Sequence, residues 1–364
     1  MPYLKTTLPE YPLMQDMWDA IANESRPVVI YGMGNGADKL FDRLATVGVA
    51  PADIFASDGF VRGHSFRGMR VKSFSEIKET YSDFVILLSF ASNREEVLGM
   101  LTDIDKNYDL YIPDMPVADA TEYFDKEFYN AHYSEICDAY NSLADETSRS
   151  AFASIIRYKL SGKMSYLEGC YSTLDELYSL LPSEKIRSVI DVGAYNGDTL
   201  RQMRNYFPHL ESATLIEPDA KTYKRLLKYT DTVADIEITT LNAAAFSESG
   251  TASFQSSSNR NSSISSTASF ENKTTEIPLV AVDELSLSPD YIKYDVEGAE
   301  QEALIGTKST ITRHAPALLI SLYHRSRDIF ELVIYMKRIH PEYKLHLRRL
   351  RCVPAWEIDL IATT

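Results

Sequence analysis

The chain has 364 residues, 45% of them hydrophobic, which is enough for two globular domains with separate cores. Its net charge of −15 argues against a nucleic-acid partner, because binding to a phosphate backbone depends on clustered lysine and arginine. Three scattered cysteines, Cys137, Cys170 and Cys352, predict reduced thiols and no disulfide framework. Neither a signal-peptide pattern nor a membrane-spanning apolar run is present, so we expect a cytoplasmic protein with no membrane span.

The first 115 residues alternate apolar strands with helices. Strands are predicted at 26–31, 54–59, 83–89 and 109–112, with helices between them and an entry helix near 14–21. Continuous apolar strands that alternate with helices are typical of a parallel sheet covered on both faces. We therefore predict a small Rossmann-like parallel α/β domain over residues 1–115.

A glycine-rich turn follows the first strand of this predicted domain. Gly32, Gly34 and Gly36, with Asp58 about 20 residues later, partly match the pattern of dinucleotide-binding sites. Three interpretations stay open: a structural or oligomerising domain that could make the protein a homo-oligomer, a site for a nucleotide-sugar or for the acceptor, and a working NAD site. No residue suited to hydride transfer is evident, which counts against NAD.

Residues 116–180 predict a helical connector. Apolar residues recur there at helical spacing, which is typical of helices with one buried stripe. They are Ile136, Tyr140, Leu143, Phe152, Ile155, Ile156 and Leu160.

Residues 181–364 contain seven predicted strands, with helices at 198–206, 219–229, 299–306 and 327–339. The strands begin near Ser188, Ser212, Ile236, Tyr291, Pro316, Tyr343 and Glu357. The first strand runs into a bend between Gly193 and Gly197, and the second ends at Glu217. Ligands of open α/β sheets bind at the carboxyl ends of the strands, and an acid after the second strand can accept hydrogen bonds from ribose hydroxyls. This arrangement predicts a nucleoside site.

Five segments carry a resemblance to a known family. They read VIDVGAYNGDT (189–199), LIEPDA (215–220), LNAAAF (241–246), IKYDVEGAEQEALIG (292–306) and ISLYHRSRDIFEL (320–332). In this order they resemble the FkbM family of S-adenosylmethionine-dependent methyltransferases, over roughly residues 185–350. The resemblance implies a class I methyltransferase-type seven-stranded sheet, S-adenosyl-L-methionine as cofactor, and methyl transfer to a hydroxyl of a sugar, glycan or small natural product.

The cofactor-binding residues expected from this interpretation lie in the bend and at the following strand ends. They are Asp191, Gly193, Ala194, Tyr195, Asn196, Gly197, Asp198, Thr199, Glu217, Pro218, Asn242, Ala243, Ala244 and Asp295. The long polar segment after the third strand is either an exposed flap or a cover for the donor, in which Asn259, Asn261 and Ser263 offer hydrogen bonds.

Methyl transfer from a sulfonium requires alignment of the reacting atoms and removal of the hydroxyl proton, by a base or a metal. The fifth strand ends at Tyr323-His324-Arg325 without an acidic pair, and Mg²⁺ prefers several oxygen ligands, so we predict no metal site. We predict His324 as the base, with Asp295 or Glu297 orienting it or binding the acceptor. The alternatives are a strand-end His324 bonded to backbone, and an Asp295 that serves only the donor or a helix start.

The leading function is therefore an S-adenosylmethionine-dependent O-methyltransferase. Two alternatives remain: a nucleotide-sugar-binding enzyme or oxidoreductase that uses residues 27–112, and a non-catalytic nucleoside-binding scaffold.

Overall fold

The computed structural model describes residues 7–61, 63–118, 122–255, 263–264 and 274–364. A six-stranded sheet with order β3-β4-β2-β1-β5-β6 lies near the N-terminus. Its strands are β1 (Val28–Tyr31), β2 (Asp53–Ala56), β3 (Ser65–Phe66), β4 (Met69–Ser73), β5 (Val85–Leu88) and β6 (Asp109–Tyr111), and helices α1 (Met17–Ala22), α2 (Asn35–Thr46), α3 (Phe74–Thr80) and α4 (Glu95–Asn107) alternate with them. Neighbouring strands are parallel except for the β3–β4 pair. The predicted Rossmann-like architecture is confirmed.

Strands β3 and β4 form an edge of this sheet that the sequence did not predict. In β4 only Val71 is buried, so the strand lacks the continuous apolar run that marks a central parallel strand. An edge strand of this kind gives a weak sequence signal.

Four helices connect the two sheets: α5 (Lys126–Ala131), α6 (Tyr133–Ser142), α7 (Glu146–Ser161) and α8 (Leu174–Tyr178). Helix α7 buries 11 of its 16 residues, more than the single stripe that we predicted. It is enclosed because both halves of the chain pack on it. Lys159 Nζ lies 2.5 Å from Asp114 Oδ2 on the N-terminal side, and Ser148 Oγ accepts a hydrogen bond from the Leu347 amide on the C-terminal side.

The C-terminal half is built on a seven-stranded sheet with order β16-β17-β15-β14-β7-β8-β9. The strands of this half are β7 (Ser188–Val192), β8 (Ser212–Ile216), β9 (Glu237–Leu241), β10 (Ala244–Ala245), β11 (Gly250–Gln255), β12 (Ser263–Ile264), β13 (Thr274–Val280), β14 (Tyr291–Tyr294), β15 (Ala317–Ser321), β16 (Lys344–Arg349) and β17 (Ile358–Thr363). The helices are α9 (Asp198–Tyr206), α10 (Ala220–Thr230), α11 (Glu300–Ile305), α12 (Lys308–His314) and α13 (Asp328–Ile339). Strands β10 to β13 form a separate four-stranded sheet.

All seven predicted strands of the large sheet are present, and the predicted fold class is confirmed. Only β17 runs antiparallel, to both β15 and β16. No helix in the described ranges has the length and apolar character that crossing a membrane requires.

The register of the central strands brings the ends of β7, β8, β14 and β15 to one edge. Lys293 of β14 pairs with Asp191 of β7 on one side and with Leu319 of β15 on the other. After the strands end, the backbone at Gly193 passes very close to the backbone at Asp295. A Cβ on Gly193 would lie 1.9 Å from the Asp295 carbonyl oxygen. Gly193 also has φ +90°, a conformation that favours glycine.

Candidate active site

A cavity of about 330 Å³ opens at this edge of the large sheet. Eight of the predicted cofactor-binding residues line it: Gly193, Tyr195, Asp198, Thr199, Glu217, Pro218, Ala244 and Asp295. Its volume is within the range of small-molecule sites. The strand ends that the sequence singled out therefore do surround one hollow.

Glu217 closes the glycine bend from the end of β8. Its Oε2 accepts a hydrogen bond of 2.9 Å from the Tyr195 amide, and its Oε1 accepts one of 2.8 Å from the Asp219 amide. These bonds fix the carboxylate at the cavity wall, where each oxygen keeps a second lone pair. Burial raises the pKa of Glu217 to about 7.

The other six predicted residues, Asp191, Ala194, Asn196, Gly197, Asn242 and Ala243, are not among the residues that line the cavity. Two of them support it from behind. Asn242 Nδ2 donates to the carbonyl oxygens of Glu217 and Pro218, which holds the end of β8. Asp191 is fully buried beneath the bend, where burial raises its pKa to about 7. Neither of its carboxylate oxygens has a hydrogen-bond partner among the described residues.

His324 lies behind the cavity wall with no exposed surface. Its Nε2 is 3.5 Å from Asp295 Oδ1 and 3.6 Å from Glu297 Oε2, and its Nδ1 is 2.8 Å from Glu300 Oε1. Burial alone would lower the pKa of His324, but the charge of Glu300, together with Asp295 and Glu297, raises it to about 10. Without a further ligand the imidazole therefore carries its proton at neutral pH.

Asp295 connects this histidine to the cavity. Burial opposes its ionisation, yet the neighbouring charges of Lys293 and His324 hold its pKa below the usual range. Lys293 Nζ lies 3.0 Å from Asp295 Oδ2, and the Tyr323 hydroxyl donates to Oδ1 over 3.4 Å. The predicted catalytic residues Asp295 and Glu297 both line the cavity, and His324 contacts them from below.

Sequence reasoning missed several lining residues, of which four have ionisable side chains: Asp219, Lys293, Glu357 and Asp359. Lys293 could have been found, because it precedes Asp295 by two positions and alternate residues of a strand share a face. Glu357 and Asp359 belong to β17 and the turn before it, and their approach to the site depends on the antiparallel insertion of β17 beside β15. No local motif predicts that contact.

Two glycines of the N-terminal turn, Gly32 and Gly36, are closely packed, whereas Gly34 has open space around it and φ +121°. A Cβ on Gly36 would lie 2.1 Å from the Ser89 carbonyl oxygen, and one on Gly32 would meet the Phe90 ring at 2.7 Å. The Asp58 carboxylate accepts hydrogen bonds from the Phe74 amide and the Ser75 hydroxyl. Packing thus explains Gly32 and Gly36, and loop fixation explains Asp58.

The predicted donor cover falls largely outside the described residues. Asn259 and Asn261 lie in the undescribed range 256–262, and of Ser263 only the backbone is described, in the short strand β12.

A family model described as "Methyltransferase FkbM domain" matches residues 191–348. Residues 191–348 are therefore similar to FkbM methyltransferase domains. The matched range contains the bend, Glu217, Asp295 and His324, whereas Glu357 and Asp359 lie beyond it. No curated protein matches the chain.

Solved structures add similarity at the level of fold. The methyltransferase FkbM from Methylobacillus flagellatus KT is 21% identical with a TM-score of 0.69, and the alignment covers 98% of this chain and 94% of that one. The likeness in fold therefore includes the N-terminal sheet as well as residues 191–348. Fibrillarin from Aeropyrum pernix, solved with natively bound S-adenosyl-L-methionine, has 14% identity and a TM-score of 0.33, with 52% of this chain and 74% of that one covered.

Proposed function

We propose that the protein is an S-adenosylmethionine-dependent O-methyltransferase that acts on a hydroxyl of a sugar, a glycan or a small natural product. The observation that carries the proposal is the cavity between the glycine bend and Asp295, with Glu217 bonded to the bend. The FkbM domain match supports methyl transfer independently of this geometry.

The charge of the cavity favours a cationic ligand. Seven acidic residues line it and Lys293 is the one basic residue among the described lining: the acids are Asp198, Glu217, Asp219, Asp295, Glu297, Glu357 and Asp359. Burial raises the pKa of Glu217 and of Asp359, so these two carboxyls contribute less negative charge than their number suggests. A sulfonium donor with an amino group suits such surroundings, because opposite charges attract strongly where water is partly excluded. The two phosphates of NAD would be repelled in this cavity.

Glu217 is the proposed ribose ligand. Both of its oxygens are held by backbone amides, so the carboxylate is preorganised and needs little ordering when a donor binds. The bend itself brings the Tyr195 backbone to the cavity, since Tyr195 has φ +47° between the two glycines. Backbone this close to a ligand can contact the nucleoside without intervening side-chain bulk.

Asp295 and Glu297 are the proposed groups that take the hydroxyl proton, and His324, whose pKa is raised to about 10, positions them as a protonated imidazole. Asp295 and Glu297 face the cavity, and His324 links them through Nε2. General-base assistance of this kind contributes about 10² to 10⁴ in rate.

Isothermal titration of the full chain with S-adenosylhomocysteine tests the donor assignment. We expect one binding site per chain, with weaker binding when Glu217 is replaced by glutamine. Absence of binding for both S-adenosylmethionine and S-adenosylhomocysteine would refute the proposal.

The acceptor class requires a separate experiment. A panel of sugars, glycans and hydroxylated metabolites incubated with methyl-labelled S-adenosylmethionine should yield a labelled ether. Labelled products that carry the methyl group on nitrogen or carbon would instead show that the acceptor atom is not oxygen, and would refute O-methyl transfer.

A further inference from the structure

A second cavity, of about 260 Å³, lies at the carboxyl ends of the N-terminal strands. Its walls are the turn between β1 and α2, the end of β5, the segment after β6, and Pro354 and Trp356 from the C-terminal half. In the order β3-β4-β2-β1-β5-β6, β1 has β2 on one side and β5 on the other, so the direction of the strand order reverses there. Open α/β sheets bind ligands beside such a reversal. The cavity therefore has the position of a ligand site.

The charge of this N-terminal cavity differs in sign from that of the donor cavity, the one at the large sheet. Lys39 is the one ionisable residue among its described lining. Lys39 Nζ donates hydrogen bonds of 2.8 and 3.1 Å to the carbonyl oxygens of Pro116 and Val117, which leaves its third N–H for a ligand. Burial lowers the pKa of Lys39, and no carboxylate of the described residues offsets that effect. A half-buried cation without a counter-ion favours an anionic ligand.

The beginning of α2 adds backbone donors to the same wall. Its first two residues, Asn35 and Gly36, line the cavity, and no side chain caps its first-turn amides. The N-cap residue is Gly34, whose φ of +121° requires glycine although a Cβ there would meet no atom within 4 Å. The turn is thus left without side-chain bulk beside the cavity. Uncapped amides and the helix dipole both favour an anion at this end of α2.

The remaining walls are largely apolar and include two aromatic side chains, Phe90 and Trp356. Trp356 Nε1 is buried and has no hydrogen-bond partner within the described ranges. Because a buried indole N–H normally has an acceptor, a ligand in the cavity that Trp356 lines is expected to supply it. A ligand that combines an anionic group with a planar, acceptor-bearing ring matches these walls.

We propose that the N-terminal cavity binds a mononucleotide, with its phosphate at Lys39 and the beginning of α2 and its base against Phe90 and Trp356. The cavity volume is close to the lower end, about 300 Å³, of small-molecule sites, which suits one nucleotide better than the dinucleotide NAD. The site itself does not depend on the proposed methyl transfer, because the two cavities have no lining residue in common among the described ones.

Two walls of the N-terminal cavity continue directly into the donor site. Val117 is followed by Ala118, whose amide donates to the carbonyl oxygen of His324. Trp356 is followed by Glu357, which lines the donor cavity. The two cavities are therefore neighbours. The nucleotide has two possible sources: a free nucleotide, and a nucleotide-sugar whose sugar is the methyl acceptor. The second role, unlike the site itself, rests on the proposed methyl-transfer function.

Isothermal titration of the full chain with ADP, GDP, CDP and UDP tests the site. We expect at least one of them to bind once per chain, and the corresponding nucleoside, which has no phosphate, to bind at least tenfold more weakly. Lys39→Gln and Asn35→Asp should each weaken nucleotide binding at least tenfold. Lys106→Gln is the matched control, because Lys106 is exposed on α4 and pairs with Asp103. It should leave the affinity unchanged.

Thermal unfolding shows whether each variant is folded. Lys39→Gln removes hydrogen bonds to the segment after β6, so this variant can lose stability. Asn35→Asp avoids that problem, because Asn35 is exposed and an acid in the first turn of a helix stabilises it. The new carboxylate would still repel a phosphate.

Failure of all four nucleotides to bind, equal affinities for nucleotide and nucleoside, or full affinity in folded Asn35→Asp would overturn the site. Displacement by S-adenosylhomocysteine would place the nucleotide in the donor cavity and overturn it as well. A chain that binds the nucleotide but not S-adenosylhomocysteine supports the site and refutes methyl transfer. Competition by a nucleotide-sugar with the same base supports the site and the sugar-carrying form, whereas its absence supports the site with a free nucleotide.

Discussion

Glu217 Oε2 and the backbone amide of Tyr195 are joined by a 2.9 Å hydrogen bond that ties the acid at the end of β8 to the glycine bend after β7. The two residues are 22 positions apart, and their contact forms one wall of the cavity. A change at either end of this bond should therefore affect the donor site directly.

Glu217→Gln is expected to weaken S-adenosylhomocysteine binding by about 10- to 100-fold, because hydrogen bonds to a charged group contribute roughly 1.5 to 3 kcal/mol. Isothermal titration measures this loss. Glu211→Gln is the matched control, since Glu211 is exposed and pairs with Arg187 on the surface. Equal affinities for the two variants would remove Glu217 from the donor site.

Gly193→Ala should destabilise the fold by roughly 1 to 3 kcal/mol, as overpacked sites do. The added Cβ would lie 1.9 Å from the Asp295 carbonyl oxygen, and φ +90° adds backbone strain. Urea unfolding gives the change in free energy. Gly99→Ala is the control, because nothing lies within 4 Å of its Cβ and alanine is favoured in the helix interior. A Gly193→Ala variant as stable as the wild type would show that the backbones at Gly193 and Asp295 lie farther apart than described.

The buried carboxyl of Asp191 should make stability depend on pH. Burial raises its pKa from 3.8 to about 7, so the folded state favours the protonated form. The contribution of the protonated Asp191 carboxyl to the free energy of unfolding is complete below pH 3.8. It is lost as the pH rises through about 7. Asp191→Asn removes this loss and should increase the free energy of unfolding at pH 8 by roughly 4 kcal/mol.

Thermal and urea unfolding between pH 5 and pH 8.5 test this prediction for the donor-free protein. The advantage of Asp191→Asn over the wild type should grow with pH, whereas Asp231→Asn, at an exposed position, should show no such trend. A constant difference across the range would mean that Asp191 is ionised throughout.

His324→Ala should reduce turnover by about 10² to 10⁴ while leaving the affinity for S-adenosylhomocysteine nearly unchanged. The reason is that His324 contacts Asp295 and Glu297 but does not itself line the cavity. Turnover and titration on the same preparation separate the two effects. Full turnover in the variant would exclude any role of His324 in proton removal.

The strands of the large sheet were predictable because buried parallel strands form continuous apolar runs that end at polar or glycine residues. Glu217 and Asp295 were found in the same way, as acids that follow such runs. Strands β3 and β12 have two residues each, too few to show a period, and β10 consists of Ala244 and Ala245 alone. Their existence depends on partners elsewhere in the chain.

The electrostatics of the site was less predictable from the sequence than the residues that form it. The high pKa of His324 arises chiefly from Glu300, which lies on α11, and the ordinary value near neutrality assumed from the sequence does not apply to it. Alternation along β14 reveals Lys293, but the approach of Asp359 follows from the direction of β17. Electrostatics of this kind depends on distances between strands, which no local pattern encodes.

The amide of Ala118 donates a 3.0 Å hydrogen bond to the carbonyl oxygen of His324, and Glu122 pairs with Arg327 just beyond it. The segment that leaves the N-terminal sheet is thus part of the wall that supports His324. Replacement of the N-terminal half by an unrelated domain would expose the loop that contains His324 and Arg327 to solvent. We therefore expect the two halves of the chain to be inherited as one unit.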